Sequence, residues 1–210
     1  MAAPAVRRGA RRARAAPQPA AGAPGPVRGG DVLQRPRQHR ACRGRVAALT
    51  LLYLDQNYLS GIVKCKPAFR DLEPALRAAV ARGAVAVPES AAHRIESAAR
   101  PDLGLLELLR ELSGGLRLPD EPGPVERECE RRLAATAARE FPERAARAGD
   151  AVDLRALSLA LPRCGLVTCD AFMADVVRRT RLDARFGCEL FTGRRGDVDR
   201  LRTRLEALDG

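Results

Sequence analysis

Along the chain, short hydrophobic runs alternate with longer stretches whose apolar residues recur every three to four positions. The run TLLYLD, 50 to 55, is apolar up to a terminal acid and predicts a buried parallel strand. Asn57 to Lys64 and Pro67 to Arg82 predict helices, the second with proline in its first turn and Phe69, Leu72, Leu76, Ala79 and Val80 along one face. AVAVP, 84 to 88, predicts a second strand stopped by Pro88, and Ser90 then supplies an N-cap for a helix reaching about Arg100. Further helices are predicted at 102 to 113, ended by Gly114 and Gly115, and at 124 to 140. Asp150 or Asp153 opens the next helix, which ends near Leu161 and Pro162. GLVT, 165 to 168, predicts a third strand, Ala171 to Arg179 a helix, CELF, 188 to 191, a fourth strand, and Asp197 to Leu208 a closing helix.

Short apolar strands alternating with helices predict an α/β fold, a three-layer sandwich with a central, mainly parallel sheet of four or five strands flanked by helices. Sheets of this kind bind ligands beyond the carboxyl ends of their strands. The pattern begins abruptly at Ala47. From Met1 to about Arg45 there is almost no large apolar residue, Pro and Gly are frequent, and no period is present. Such a segment buries too little apolar surface to offset its ordering entropy. Two units are therefore expected: 1–46, a disordered basic arm or a mis-assigned N-terminal extension, and 47–210, a single folded domain.

Charge follows the same division. The 210 residues carry a formal charge of +11, which by itself suggests a nucleic acid or an anionic membrane as partner. Residues 1–46 hold eleven arginines against the single acid Asp31, so the arm accounts for +10 and residues 47–210 for +1. The globular part is nearly neutral, and a polyanion partner must be argued from something other than net charge. Only Lys64 and Lys66 are lysine among 37 basic residues, which with abundant Ala, Gly and Pro reads as a GC-rich, hence bacterial, codon bias. No run approaches the ~20 apolar residues of a membrane span, and the Arg-studded beginning lacks a signal's apolar stretch, so a cytoplasmic location is expected. The six cysteines include no C-x-x-C pair and no zinc-site spacing, as expected of reduced structural thiols.

What the strand ends carry is acidic. Asp55 follows the first strand, Asp170 lies two residues past the third, Glu96 lies two turns into the helix after the second, and Asp153 sits near the start of the helix leading into the third. Each alone is weak, since an Asp after a strand is often only a helix cap. Together they place four carboxylates from four segments at one sheet edge, where their mutual repulsion calls for hard divalent cations, Mg²⁺ or Mn²⁺. Nearby acids compete for two of the places: Asp150 lies one turn before Asp153, and Glu89 stands directly at the strand end ahead of Glu96. Asp175, five residues beyond Asp170, reads as part of a solvated helix face.

L-Y-L-D-Q-N-Y-L-S (52 to 60), S-A-A-H-R-I-E (90 to 96) and D-L-R-A-L-S-L-A-L-P-R-C-G-L-V-T-C-D (153 to 170), in this order, resemble the PIN-domain family over roughly Thr50 to Leu208. In that family a strand ends in Asp with Asn two residues on, a Ser-to-Glu spacing follows strand two, and an acid opens a helix that turns into a strand ending T-x-D. The resemblance implies a PIN-like fold and a metal-dependent endoribonuclease, often the toxin of a toxin–antitoxin pair. It implies Asp55, Glu96, Asp153 and Asp170 as both catalytic and metal-binding acids, with Asn57 and Thr168 in support. RNA, an antitoxin protein and a second copy of the chain are the partners it suggests. The family's usual Thr or Ser between the first Asp and the Asn is Gln56 here, a change that leaves the metal-facing positions intact.

His93 and Glu96 are three apart on one helical face, so the imidazole is expected to face the same cleft, where it would orient a phosphate or shuttle a proton. The plainer alternative is a histidine hydrogen-bonded near the helix start. Other chemistries fit less well. A haloacid-dehalogenase-type phosphatase needs a second Asp where Asn57 stands, no Gly-rich dinucleotide turn or P-loop follows the first strand, and no Ser/His or Cys/His arrangement is evident. The main competitor is a PIN-like module that binds RNA or protein without cutting. A further one is a partner surface on the leucine-rich helices from 102 to 140.

Overall fold

A computed structural model describes residues 49 to 208. The expected arm at 1–46, with Cys42 and His39, lies outside the described residues.

Four strands form an all-parallel sheet: β1 (Thr50–Tyr53), β2 (Val85–Ala86), β3 (Leu166–Thr168) and β4 (Glu189–Phe191), in the spatial order β2-β1-β3-β4. Parallel strands require crossovers, and helices supply them. They are α1 (Gln56–Val63), α2 (Leu72–Ala81), α3 (Ala91–Ala98), α4 (Leu105–Ser113), α5 (Pro124–Glu140), α6 (Asp150–Ala160), α7 (Ala171–Thr180), α8 (Leu182–Phe186) and α9 (Arg195–Glu206). The predicted α/β class therefore holds, with the sheet flanked by helices as a three-layer sandwich. Among the described residues, strand pairing beyond these four is limited to one parallel bridge between Glu89 and Arg117.

Alternation along each strand divides the core into two layers, because successive side chains of a strand point to opposite faces. Leu52, Leu54, Leu166 and Phe191 pack with α1, α2, α4 and α9 on one side. Tyr53, Val167 and Leu190 pack with α5, α6, α7 and α8 on the other. The leucines of 102 to 112 belong to the first layer: Leu105, Leu108, Leu109 and Leu112 are buried, and Leu103 and Leu106 pack against them. Their apolar character is thus spent on the core rather than left for a partner.

Two local departures from the pattern have simple causes. Pro67 to Arg82 is not one helix; Pro67–Phe69 forms a single 3₁₀ turn and α2 begins at Leu72. The five-residue α8 is too short to show a period, and it is bounded by left-handed backbone at Arg181 (φ 56°) and Gly187 (φ 66°).

From β1 the chain crosses first to β2 on one side and later to β3 on the other. The order of the strands thus reverses between β1 and β3, whose residues Leu52 and Tyr53 pair with Leu166 and Val167. In open parallel sheets such a switch point opens a crevice beyond the strand ends. Asp55 follows β1 there, and Thr168 and Asp170 follow from β3.

Candidate active site

The crevice is built by backbone chemistry before any ligand is considered. Asp55 is the N-cap of α1 and accepts the Tyr58 N–H at 3.1 Å; Asp170 is the N-cap of α7 and accepts the Met173 N–H at 2.6 Å. Thr168, fully buried at the end of β3, accepts the Asp55 backbone N–H through Oγ1 at 2.7 Å. That bond continues the β1–β3 pairing one step past the ladder and fixes the two acid-bearing strand ends relative to each other. Asn57 donates to the Asp55 carboxylate at 3.3 Å.

A small cavity of about 30 Å³ lies between these groups, lined by Tyr53, Asp55, Asn57, Asp153, Thr168 and Asp170 among others. It has room for an ion or a water or two. All four predicted acids are half-buried. Glu96 does not line this cavity, but its charge is felt by the same group, since Asp153 and Asp55 both raise its pKa.

Burial first, and then mutual repulsion, makes Asp55, Asp153 and Glu96 hard to ionise. Asp55 is pushed up from 3.8 to about 6 by burial, against the hydrogen bonds from Tyr58 and Asn57 and with the charges of Asp153 and Asp170. Asp153 is raised to about 6 by burial and by Asp170 and Asp150, and Glu96 to about 7 by burial and by Asp153 and Asp55. Among the described residues none of the four forms an ion pair. The only nearby cation of those residues acting on the acids is Arg144, which lowers Asp153 without pairing with it and is itself paired with Asp150.

The competing acids are resolved by their partners. Asp150 is held by Arg144 in a two-pronged ion pair at 2.6 and 2.9 Å, which keeps its carboxyl down at about 2. That leaves Asp153 as the third acid of the cleft. Glu89 is buried and paired with Arg94 at 2.9 Å and Arg117 at 3.7 Å, so Glu96 is the acid coupled to the cluster. Asp175 pairs with Arg179 at 3.2 Å on a partly exposed helix face, as expected.

His93 follows the plainer of its two expected readings, a histidine hydrogen-bonded near the helix start, and not the one that faces the cleft. It is wholly buried and completes a capping box, with its own N–H donating to Ser90 Oγ and its ring Nδ1 facing the Ser90 N–H at 3.0 Å. Because the Ser90 N–H donates to Nδ1, the ring proton sits on Nε2, which donates to the Leu54 carbonyl at 2.6 Å. Burial lowers its pKa, so the ring stays neutral. Both ring nitrogens are committed, and the residue ties α3 to the end of β1 rather than serving the cleft.

Sequence reasoning overlooks Tyr53. Its ring stacks on His93 with centroids 5.1 Å apart, and it lines the acid cavity. The signal is its place at the end of β1, two residues before Asp55, although an apolar run read as core conceals it.

No family model, curated protein or solved structure matches the chain. The site therefore rests on its own chemistry. An all-oxygen donor set suits a hard divalent cation. In this conformation, however, no three His, Cys, Asp or Glu side chains among the described residues converge to hold one ion. The expected shared coordination sphere is not assembled, and the four acids are neighbours through their charges. The five described cysteines are all free, and four of them are buried. No helix among the described residues is long and apolar enough to cross a membrane.

Proposed function

We propose that the protein is a metal-dependent nuclease, an endoribonuclease that hydrolyses phosphodiesters at the cleft of Asp55, Glu96, Asp153 and Asp170. The observation that carries this reading is electrostatic. Asp55, Asp153 and Glu96 are raised to about 6, 6 and 7, with no ion-pair partner among the described residues, at the switch point of a parallel sheet. Carboxylates that burial and one another keep from ionising, set in a crevice, mark a functional site, and Mg²⁺ or Mn²⁺ is the ligand that an all-oxygen set of this kind takes. The resemblance of 52 to 60, 90 to 96 and 153 to 170 to PIN domains supports the same reading and adds RNA as the substrate.

When bound, the cation would lower the pKa of a water and neutralise charge on the phosphoryl oxygens. Asp55, Asp153 and Asp170, which do not converge on one point in this conformation, would have to close on it, and Glu96, raised further than Asp55 or Asp153, is suited to accept a proton from the attacking water at its carboxylate. Thr168 fixes where the Asp55 carboxylate starts, and Asn57 orients it through its side-chain hydrogen bond. Tyr53 and Leu157 close the inner wall and limit water there.

Asp55→Asn tests this. Asn caps a helix about as well as Asp, so the Tyr58 N–H keeps its acceptor and the fold survives. Mn²⁺-dependent cleavage of single-stranded RNA should fall by a factor of at least a thousand while the thermal midpoint stays level or rises. Equal cleavage by mutant and parent would overturn the assignment.

A further inference from the structure

Beside the acid cleft lies a second, larger cavity of about 440 Å³, within the ~300–1,000 Å³ usual for ligand sites. Its walls differ in kind. Ala134, Ala137 and Ala138 of α5 form one side with small side chains, and Phe141, Arg144 and Phe172 bring two rings and a guanidinium to the other. The rings meet edge to face with centroids 5.1 Å apart, the Arg144 guanidinium lies 3.6 Å from the centre of Phe172, and that of Arg179 lies 4.9 Å from the centre of Phe141. Phe141 and Phe172 are only half-buried.

Arg144 decides what such a cavity takes. Both of its terminal nitrogens are already paired with Asp150, at 2.6 and 2.9 Å, so its fork is not free to clamp a phosphate or a carboxylate. What it offers is a fixed guanidinium surface next to aromatic rings, which favours a flat π-system. The cavity also adjoins the acid cleft. Met173 lines both, and Asp150 and Asp153, one turn apart on α6, line the larger and the smaller cavity respectively.

We infer that this cavity between α5, α6 and α7 receives an unstacked base of the single-stranded RNA whose backbone passes the acid cleft. The inference rests on the nuclease reading for its ligand class. A base held against Phe141, Phe172 and Arg144 fixes which phosphodiester reaches the acids. Aromatic stacking of this sort tolerates every base, so it sets register more than sequence.

The test measures binding of the full chain to a labelled single-stranded RNA by fluorescence anisotropy in Ca²⁺. The probes are the intact oligomer and a set in which one position at a time is an abasic ribose. Because the abasic oligomers keep every phosphate, the arginines at 1–46 bind them as well as the intact RNA, and only loss of a base is read. One abasic position should weaken binding roughly tenfold, the effect of losing one stacked base. Ala138→Phe, which fills the cavity from an exposed helix position, should weaken binding of the intact RNA by a similar factor and erase the abasic penalty. Phe141→Ala is the second variant, and circular dichroism melts confirm that both are folded. Uniform affinity across the abasic set, or an abasic penalty that survives filling, overturns the inference. So does unchanged RNA binding by the filled variant, the result expected if the cavity takes a protein side chain instead. Cleavage with Mn²⁺ is scored separately. Base-dependent binding without cleavage removes the nuclease reading and leaves the cavity, whereas cleavage without base dependence does the reverse.

Discussion

Asp55 carries two roles on one side chain, as a helix cap for Tyr58 and as a member of the acid cluster, and the first role explains how the second is held in place. Its position after β1 makes both readable from the sequence. The same is not true of His93, whose spacing from Glu96 places the two on one helical face without revealing that the ring turns inward to Ser90 and Leu54. That orientation is set by a carbonyl 39 residues away, which no local periodicity encodes. His93→Ala should therefore act on stability. Losing two buried hydrogen bonds and the stack on Tyr53 is expected to cost about 2–4 kcal/mol, a drop of roughly 5 to 15 °C in melting temperature for a domain of this size. The cleavage rate per folded molecule should stay within about twofold, whereas a proton-shuttling histidine would cost a hundredfold or more. Thermal melts and single-turnover rates on the same sample separate the two roles.

Among the elements, helices were the more legible because their apolar faces repeat over two or more turns. α5 and α7 lie within one residue of their expected bounds, while β2 shrinks to two paired residues and α8 leaves no pattern. The packing of α1 on the turn at Pro67–Phe69 depends on a detail that only three dimensions display. Gly61 is buried in α1, and a Cβ there would stand 2.7 Å from the Phe69 ring. A helical Gly→Ala change ordinarily stabilises by about 0.5–1 kcal/mol. Here the sign should reverse, because the ring, itself packed edge to face on Tyr58, has to move. Gly61→Ala is expected to destabilise by about 1–3 kcal/mol in urea unfolding, as overpacked cores do. A variant as stable as the parent would mean that Phe69 moves aside at no cost.

For the whole molecule, the acid cluster couples stability to pH. Asp55 and Asp153 rise from 3.8 to about 6 on folding and Glu96 from 4.5 to about 7, so the folded state holds their protons more tightly than the unfolded chain. Stability drawn from those protons is complete below about pH 4 and is lost as pH rises through about 6 to 7, because the native state then binds more protons than the unfolded one. With metal chelated, the unfolding free energy should fall between pH 5 and pH 7.5 by on the order of 1 kcal/mol per acid once solvent screening of half-buried groups is allowed for, and the melting temperature should fall with it. Glu96→Gln should flatten that slope, and Mn²⁺ should recover more stability at the higher pH, where protons no longer compete for the carboxylates. A melting temperature that rises steadily with pH in chelator would contradict the cluster. The sequence by itself determined the α/β class and the parallel strands, and it singled out the acids that follow those strands, since these are set by periodicity and by where apolar runs end. Tertiary structure decided which acid of each neighbouring pair remains free. Arg144 takes Asp150, Arg94 and Arg117 take Glu89, and the sheet order places β1 beside β3. Spacing places a residue on a helix face, but the partner that neutralises it arrives from another segment, and only the packed chain brings the two together.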